Sequence, residues 1–202
     1  MTGFYFITDA NLSRRGNLSD VKSALQAKVK VVQYRNKSAT TRDMLKEALE
    51  LKRACKNTIF LVNDRLDIAL AVNADGVHLG RHDMPYALAR KLLGKNKVIG
   101  LKVHSLKEEK LAQKLGADYL GVSPIFATKT KTDAGKPSGI KLIRKIRKEL
   151  DIPIIAIGGI NLKNAPRVIS AGADGLCAIS AVVTKPDVKK EIERFQELFH
   201  GC

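Results

Sequence analysis

The chain has 202 residues, 45% apolar and 28% charged, a balance that excludes disorder as the main state and suits one domain burying one core. Lys and Arg number 36 against 20 Asp and Glu, a formal net charge of +16, which favours anionic partners: nucleic acid, an anionic membrane surface or phosphorylated small molecules. Cys55, Cys177 and Cys202 are far apart with no C-x-x-C pair, which supports neither a disulfide framework nor a zinc knuckle.

Short runs rich in Val and Ile alternate with longer segments of helical spacing from end to end. The predicted strands are FYFIT, VVQYR, TIFLV, GVHL, VIGLKV, YLGVSPI, PIIAIG and GLCAISAV, with helices between them in segments such as TRDMLKEALELKRACK, SLKEEKLAQKL, LKNAPRVISA and DVKKEIERFQELF. The strands are apolar nearly throughout rather than alternating, as parallel strands covered on both faces require. NADGVH at Asn73, GADYLG at Gly116 and GADGLC at Gly172 form a weak internal repeat. In each, Gly or Asn suits the left-handed end of a helix and Asp suits the turn into the next strand. Eight βα units predict an α/β fold, a single-domain (β/α)8 TIM barrel over residues 1–202. A doubly wound open sheet is the alternative, though no G-x-G-x-x-G follows the first strand to support it.

In such a barrel the working residues sit at the carboxyl ends of the strands and in the loops after them. Gln33, Arg35 and Lys37 alternate, so all three are expected to face one side. Two cations and an amide converging inside a barrel call for an anion, supplied by a ligand or by internal salt bridges with Asp9 or Asp64. Asp64 and Asp83 end adjacent strands, and two carboxylates among cations suit a hard ion such as Mg²⁺, which also binds diphosphate oxygens. Gly158-Gly159, with Asn161 ahead of a helix, reads either as a plain tight turn or as backbone donors for phosphate at a helix N-terminus. Ser180, after the last strand, falls where barrels often bind phosphate. The loop VSPIFATKTKTDAGKPSG adds the hydroxyls of Thr128 and Thr130, the charge of Lys131 and a Gly135-to-Gly139 segment that suits a closing lid.

In order along nearly the whole chain, VVQYRNK, LVNDRLDIALAVNADGVHLGRHDMP, GADYLGVSPIFATKTKTDAG, IPIIAIGGI and GADGLCAISAVV resemble the motifs of the thiamine phosphate synthase family, whose members are (β/α)8 transferases. The resemblance implies coupling of 4-amino-2-methyl-5-(diphosphomethyl)pyrimidine to a thiazole phosphate, giving thiamine phosphate and diphosphate by Mg²⁺-assisted dissociative substitution. It implies that Gln33 reads the aminopyrimidine edge and that Arg35, Lys37, Asn63 and Lys131 contact the diphosphate, with Arg35, Lys37 and Lys131 as the catalytic cations. Asp64 and Asp83 would bind Mg²⁺, and Thr128, Thr130, Gly159, Ile179 and Ser180 would place the thiazole phosphate. One position departs: Lys102, in IGLKVHS, stands where the family usually carries a small hydroxyl residue touching diphosphate, so it implies either an added phosphate contact or a crowded pocket.

A thiazole tautomerase-like relative resembles the chain around VHSLKE, where His104 matches its catalytic histidine, but that relative lacks the Asn63-Asp64 pair, Asp83 and the Thr-x-Thr-Lys loop present here. An inactive barrel that binds thiamine phosphates is the other alternative. His78 and His82 invite a transition-metal reading, yet Leu79-Gly80 interrupts any helix that would align their rings. Without Trp and with few aromatic residues, stacking platforms for nucleic acid are scarce. The opening MTGFYFITDANLS has no basic n-region with a long apolar segment, and no apolar run approaches the roughly 20 residues that span a bilayer. The expected partners are therefore small-molecule substrates, a pyrimidine diphosphate and a thiazole phosphate, with no nucleic acid and no membrane; a homo-oligomer is left open, and the expected location is cytoplasmic.

Overall fold

Eight parallel strands close into a barrel in sequence order, β1 pairing with β8. The computed structural model describes residues 1–128, 130 and 135–200. The strands are β1 (Gly3–Ile7), β2 (Val31–Tyr34), β3 (Ile59–Asn63), β4 (Gly76–Leu79), β5 (Val98–Val103), β6 (Tyr119–Val122), β7 (Ile154–Ile157) and β8 (Gly175–Cys177). The helices are α1 (Asn17–Gln26), α2 (Thr41–Ala54), α3 (Leu66–Ala71), α4 (Tyr86–Leu93), α5 (Leu106–Leu115), α6 (Gly139–Glu149), α7 (Ala165–Ile169), α8 (Ile179–Val183) and α9 (Val188–Glu197). Among the described residues no helix is long and apolar enough to cross a membrane.

Strands β2, β4, β6 and β7 are buried on both faces, which is why the alternating pattern of a half-exposed sheet is absent. The outward Val, Ile and Phe side chains meet the helix layer; Phe4 of β1, for example, packs on Phe195 of α9 with ring centroids 5.1 Å apart. Local capping starts two of the longer helices as the side-chain chemistry dictates. Thr40 accepts from the Asp43 N–H ahead of α2, and Ser105 accepts from the Glu108 N–H ahead of α5.

The three repeated joints all serve the same mechanical end. Asn73, Gly116 and Gly172 have φ of 50°, 88° and 104°, the left-handed turn that Gly and Asn tolerate. Two residues later, Asp75, Asp118 and Asp174 accept hydrogen bonds from the N–H groups of Phe60, Ile99 and Ile154 at the starts of β3, β5 and β7. Each carboxylate also pairs with a cation from a preceding helix: Lys52 of α2, Arg90 of α4 and Arg147 of α6. The repeat is thus a clamp at the amino end of the barrel, away from the strand ends where chemistry is expected.

Two expectations are corrected. GLCAISAV is not one strand: β8 stops at Cys177 and Ile179 opens α8, because a third pairing on β7 is already complete at Ile157↔Cys177. Gly158-Gly159 does not abut a helix N-terminus, since α7 begins only at Ala165. The intervening residues close on themselves instead, with Asn161 Oδ1 accepting from the N–H groups of Lys163 and Asn164.

Candidate active site

A cleft of about 560 Å³ opens at the carboxyl end of the barrel, lined by Lys37, Asn63, Asp64, Asp83, Lys102, His104 and neighbouring residues. Asn63 is the last residue of β3 and Asp64 the next, so barrel closure brings them beside the loop after β4 that carries Asp83. Asp64 is held with φ at 62°, an uncommon conformation for a non-glycine residue that costs of order 1 kcal/mol and clusters at functional sites. Its N–H donates to the His78 carbonyl, and its carboxylate lies 2.6 Å from Lys37 Nζ.

The two acids are electrostatically unequal. Burial alone would raise the Asp64 pKa, but the Lys37 ammonium and a hydrogen bond with Asp83 carry it below its ordinary value. Burial raises that of Asp83, and the adjoining Asp64 raises it further, although the Gly80 N–H donates to its Oδ2 at 2.6 Å. An ionised carboxylate beside one inclined to hold a proton is a pair that a divalent cation would discharge, so these residues fit a hard metal ion. Among the described residues no group of three or more His, Cys, Asp and Glu side chains forms a metal cluster; the remaining oxygens of a six-coordinate ion would come from water and substrate.

A narrower crevice adjoins the cleft, lined by Ser123, Thr128, Thr130, Gly158, Gly159, Ile179 and Ser180. Both glycines have positive φ, 99° and 66°. A Cβ on Gly158 would sit 2.7 Å from Pro124 Cβ, and one on Gly159 would sit 2.6 Å from the Ala127 carbonyl, so only glycine lets this turn pass under the β6 loop. Lys102 of β5 lines both the cleft and the crevice. This cation therefore stands at the junction of the two cavities.

The members of the alternating triplet differ in burial. Gln33 and Arg35 are buried, and Lys37 is half exposed. Arg35 Nη1 pairs with Asp9 Oδ2 at 2.9 Å and Lys37 with Asp64, so the internal salt bridges foreseen with Asp9 and Asp64 both form. Arg35 Nε nonetheless finds no partner among the described residues. Lys131 lies outside the described residues. Arg81 and Lys136, to which sequence reasoning gave no role, and His82, weighed only for a transition metal, also line the cleft; Tyr5 and Tyr119, whose hydroxyls meet inside the barrel at 2.7 Å, were passed over. The strand-end position of Arg81 and His82 was a usable signal; the ring pairing had none, because the two tyrosines are 114 residues apart.

The model of the family described as thiamine monophosphate synthase matches residues 4–182. The thiamine-phosphate synthase of Methanosarcina barkeri is 53% identical over 196 residues, covering 96% of this chain and 89% of that protein. That of Chloroflexus aurantiacus is 51% identical, covering 96% and 91%. Among solved structures, thiamine phosphate pyrophosphorylase from Pyrococcus furiosus superposes with a TM-score of 0.91 at 40% identity, covering 99% of this chain and 96% of that one. 3-Hexulose-6-phosphate synthase from Salmonella typhimurium, at 16% identity and a TM-score of 0.76, shares the fold.

Proposed function

The chain belongs to the thiamine monophosphate synthase family, and from that premise we propose how its barrel mouth joins a pyrimidinylmethyl diphosphate to a thiazole phosphate. The reaction breaks the bond between the methylene carbon and diphosphate and forms a bond from that carbon to the thiazole nitrogen, releasing diphosphate and yielding thiamine phosphate. No side-chain nucleophile is needed; the protein's work is to hold two anions close together and to favour departure of the diphosphate.

Asp64 and Asp83 would hold Mg²⁺, which when bound supplies positive charge to the leaving diphosphate. Lys37, Lys102 and Lys131 add ammonium donors, Asn63 a neutral amide donor, and Arg35 a guanidinium held by Asp9. Gln33 reads the aminopyrimidine edge from within the barrel. The second cavity takes the thiazole phosphate on the Thr128 and Thr130 hydroxyls, the Gly159 turn and the Ile179-Ser180 backbone. The observation that carries this reading is the junction at Lys102: an acid pair ringed by cations on one side, a glycine and hydroxyl crevice on the other.

Mixing both substrates with Mg²⁺ and following diphosphate and thiamine phosphate tests the reading. Asp83→Ala is expected to cut turnover by roughly 100-fold or more while circular dichroism stays that of the parent. Unchanged turnover in that variant would remove Asp83 from the metal site, and turnover indifferent to chelation would remove the metal itself.

A further inference from the structure

A continuous hydrogen-bonded relay crosses the barrel interior beneath the cleft. Gln33 Nε2 of β2 donates to Tyr5 Oη of β1 at 2.7 Å, Tyr5 Oη meets Tyr119 Oη of β6 at 2.7 Å, and Tyr119 Oη meets His78 Nδ1 of β4 at 2.9 Å. All four side chains are buried. Room for the rings is built into the strands. A Cβ on Gly100 would fall 2.0 Å from the Tyr119 ring, and one on Gly121 would fall 2.5 Å from His78 Cε1. Barrel interiors are ordinarily filled by branched aliphatic layers; here two glycines give way to a polar line.

Two proton orders keep every hydroxyl hydrogen within the relay. An amide nitrogen cannot accept, so with Nε2 facing Tyr5 the hydroxyl protons all stay within the relay when Tyr5 donates to Tyr119 and Tyr119 to His78 Nδ1. In the reverse order His78 donates through both phenols, and Gln33 must turn its Oε1 to Tyr5. The two orders present opposite amide faces to the rest of the site. With Nε2 on Tyr5, Gln33 Oε1 has no partner among the described residues although it is buried, and a bare acceptor in such a place is costly unless a ligand donor meets it. Burial pushes both phenols above their ordinary pKa, so each enters the relay as a neutral donor and acceptor.

Resting on the reading that Gln33 takes the aminopyrimidine edge, we infer that Tyr5, Tyr119 and His78 are positioning residues whose relay fixes the Gln33 amide and so selects a 4-amino over a 4-oxo pyrimidine. A 4-amino ring offers an N–H to Oε1 and a ring nitrogen to the second Nε2 hydrogen. A 4-oxo ring offers the opposite pair, a carbonyl oxygen and a ring N–H, which only the reversed relay would match.

Calorimetry without the thiazole phosphate gives the test: the Kd of 2-methyl-5-(diphosphomethyl)pyrimidine bearing 4-amino or 4-oxo, with Mg²⁺. The ratio of the two constants is independent of how much of a preparation is active. Wild type is expected to prefer the amino compound by on the order of a thousandfold, since a site built around a ligand donor rejects the analogue lacking it. Tyr119→Phe, which keeps the ring and removes the link, should reduce that ratio by about tenfold or more; should it fail to fold, Tyr5→Phe cuts the same relay one link nearer Gln33. Gln33→Leu should collapse the ratio, and adding Tyr119→Phe to it should change nothing further. A wild-type ratio in both Tyr→Phe variants alongside a collapsed one in Gln33→Leu overturns the relay and leaves the Gln33 reading standing. A wild-type ratio in Gln33→Leu overturns that reading, and the relay's role with it.

Discussion

Arg35 and Asp9 meet as an ion pair 2.9 Å apart, their side chains 9% and 6% exposed, at the adjoining ends of β2 and β1. Thr8 stitches the same corner, its hydroxyl donating to the Arg35 carbonyl and accepting from the Arg35 N–H. A pair this deep is expensive to form, but breaking it from one side is worse, because the other charge is then buried alone. Asp9→Ala is therefore expected to destabilise the protein by about 3 kcal/mol, lowering Tm by roughly 6–12 °C for a chain of this size. Urea unfolding with an unchanged m-value checks that the loss is of stability; a loss under 1 kcal/mol would mean that Arg35 finds another partner.

Lys102 stands at the junction of the cleft and the crevice and brings positive charge to both. As a diphosphate contact, it should favour both the diphosphate substrate and the diphosphate product. In Lys102→Ser the KM for the pyrimidine diphosphate and the inhibition constant of free diphosphate should both rise about tenfold, the worth of one charge-assisted hydrogen bond. Equal constants in the two proteins would leave the lysine with no phosphate to hold.

Glu109 lies on the inner face of α5, fully buried, and neither carboxyl oxygen has a hydrogen-bond partner among the described residues. Burial, reinforced by the neighbouring Glu108, raises its pKa to about 7. The folded protein thus holds a proton that the unfolded chain has released above about pH 4.5. Stability from this group is present in full below pH 4.5, falls as pH rises towards 7, and is gone above it. Glu109→Gln keeps the shape and removes the titration. It should stabilise the protein by on the order of 1–3 kcal/mol at pH 8, with the advantage shrinking towards pH 4.5. Thermal melts of both proteins at pH 5 and pH 8 decide it; an advantage of equal size at both values would trace to packing instead.

The Asp118 clamp separates two kinds of contribution. Its side chain, 42% exposed, accepts the Ile99 N–H at 2.7 Å and pairs with Arg90 at 2.7 Å. Removing the acceptor leaves a strand-start N–H without its bond, whereas neutralising it loses only an ion pair that water already screens. Asp118→Ala is expected to cost about 1–3 kcal/mol, and Asp118→Asn, which keeps an acceptor oxygen, less than about 1 kcal/mol. Denaturant midpoints of the two variants, compared on the same m-value, show which term holds the joint; equal losses would place the energy in the ion pair.

The features that the sequence determined are local ones. Eight apolar runs separated by helical segments are enough to specify a parallel α/β sheet, since each strand must be covered on both faces and each crossover must carry a helix; closure into a barrel is seen in the β1–β8 pairing. The same locality made Asn63-Asp64, Asp83 and Gly158-Gly159 legible as strand-end residues, and the Asn73, Gly116 and Gly172 repeat legible as turns. Partnership across the barrel was decided only in three dimensions. That Arg35 chooses Asp9, that Lys102 faces two cavities, and that Tyr5, Tyr119 and His78 join in one line all depend on which inward side chains closure brings to the same level. Strand register sets those levels, through pairings such as His78↔Gly100 and Gly100↔Tyr119, and register is fixed by the whole sheet rather than by any one run of residues.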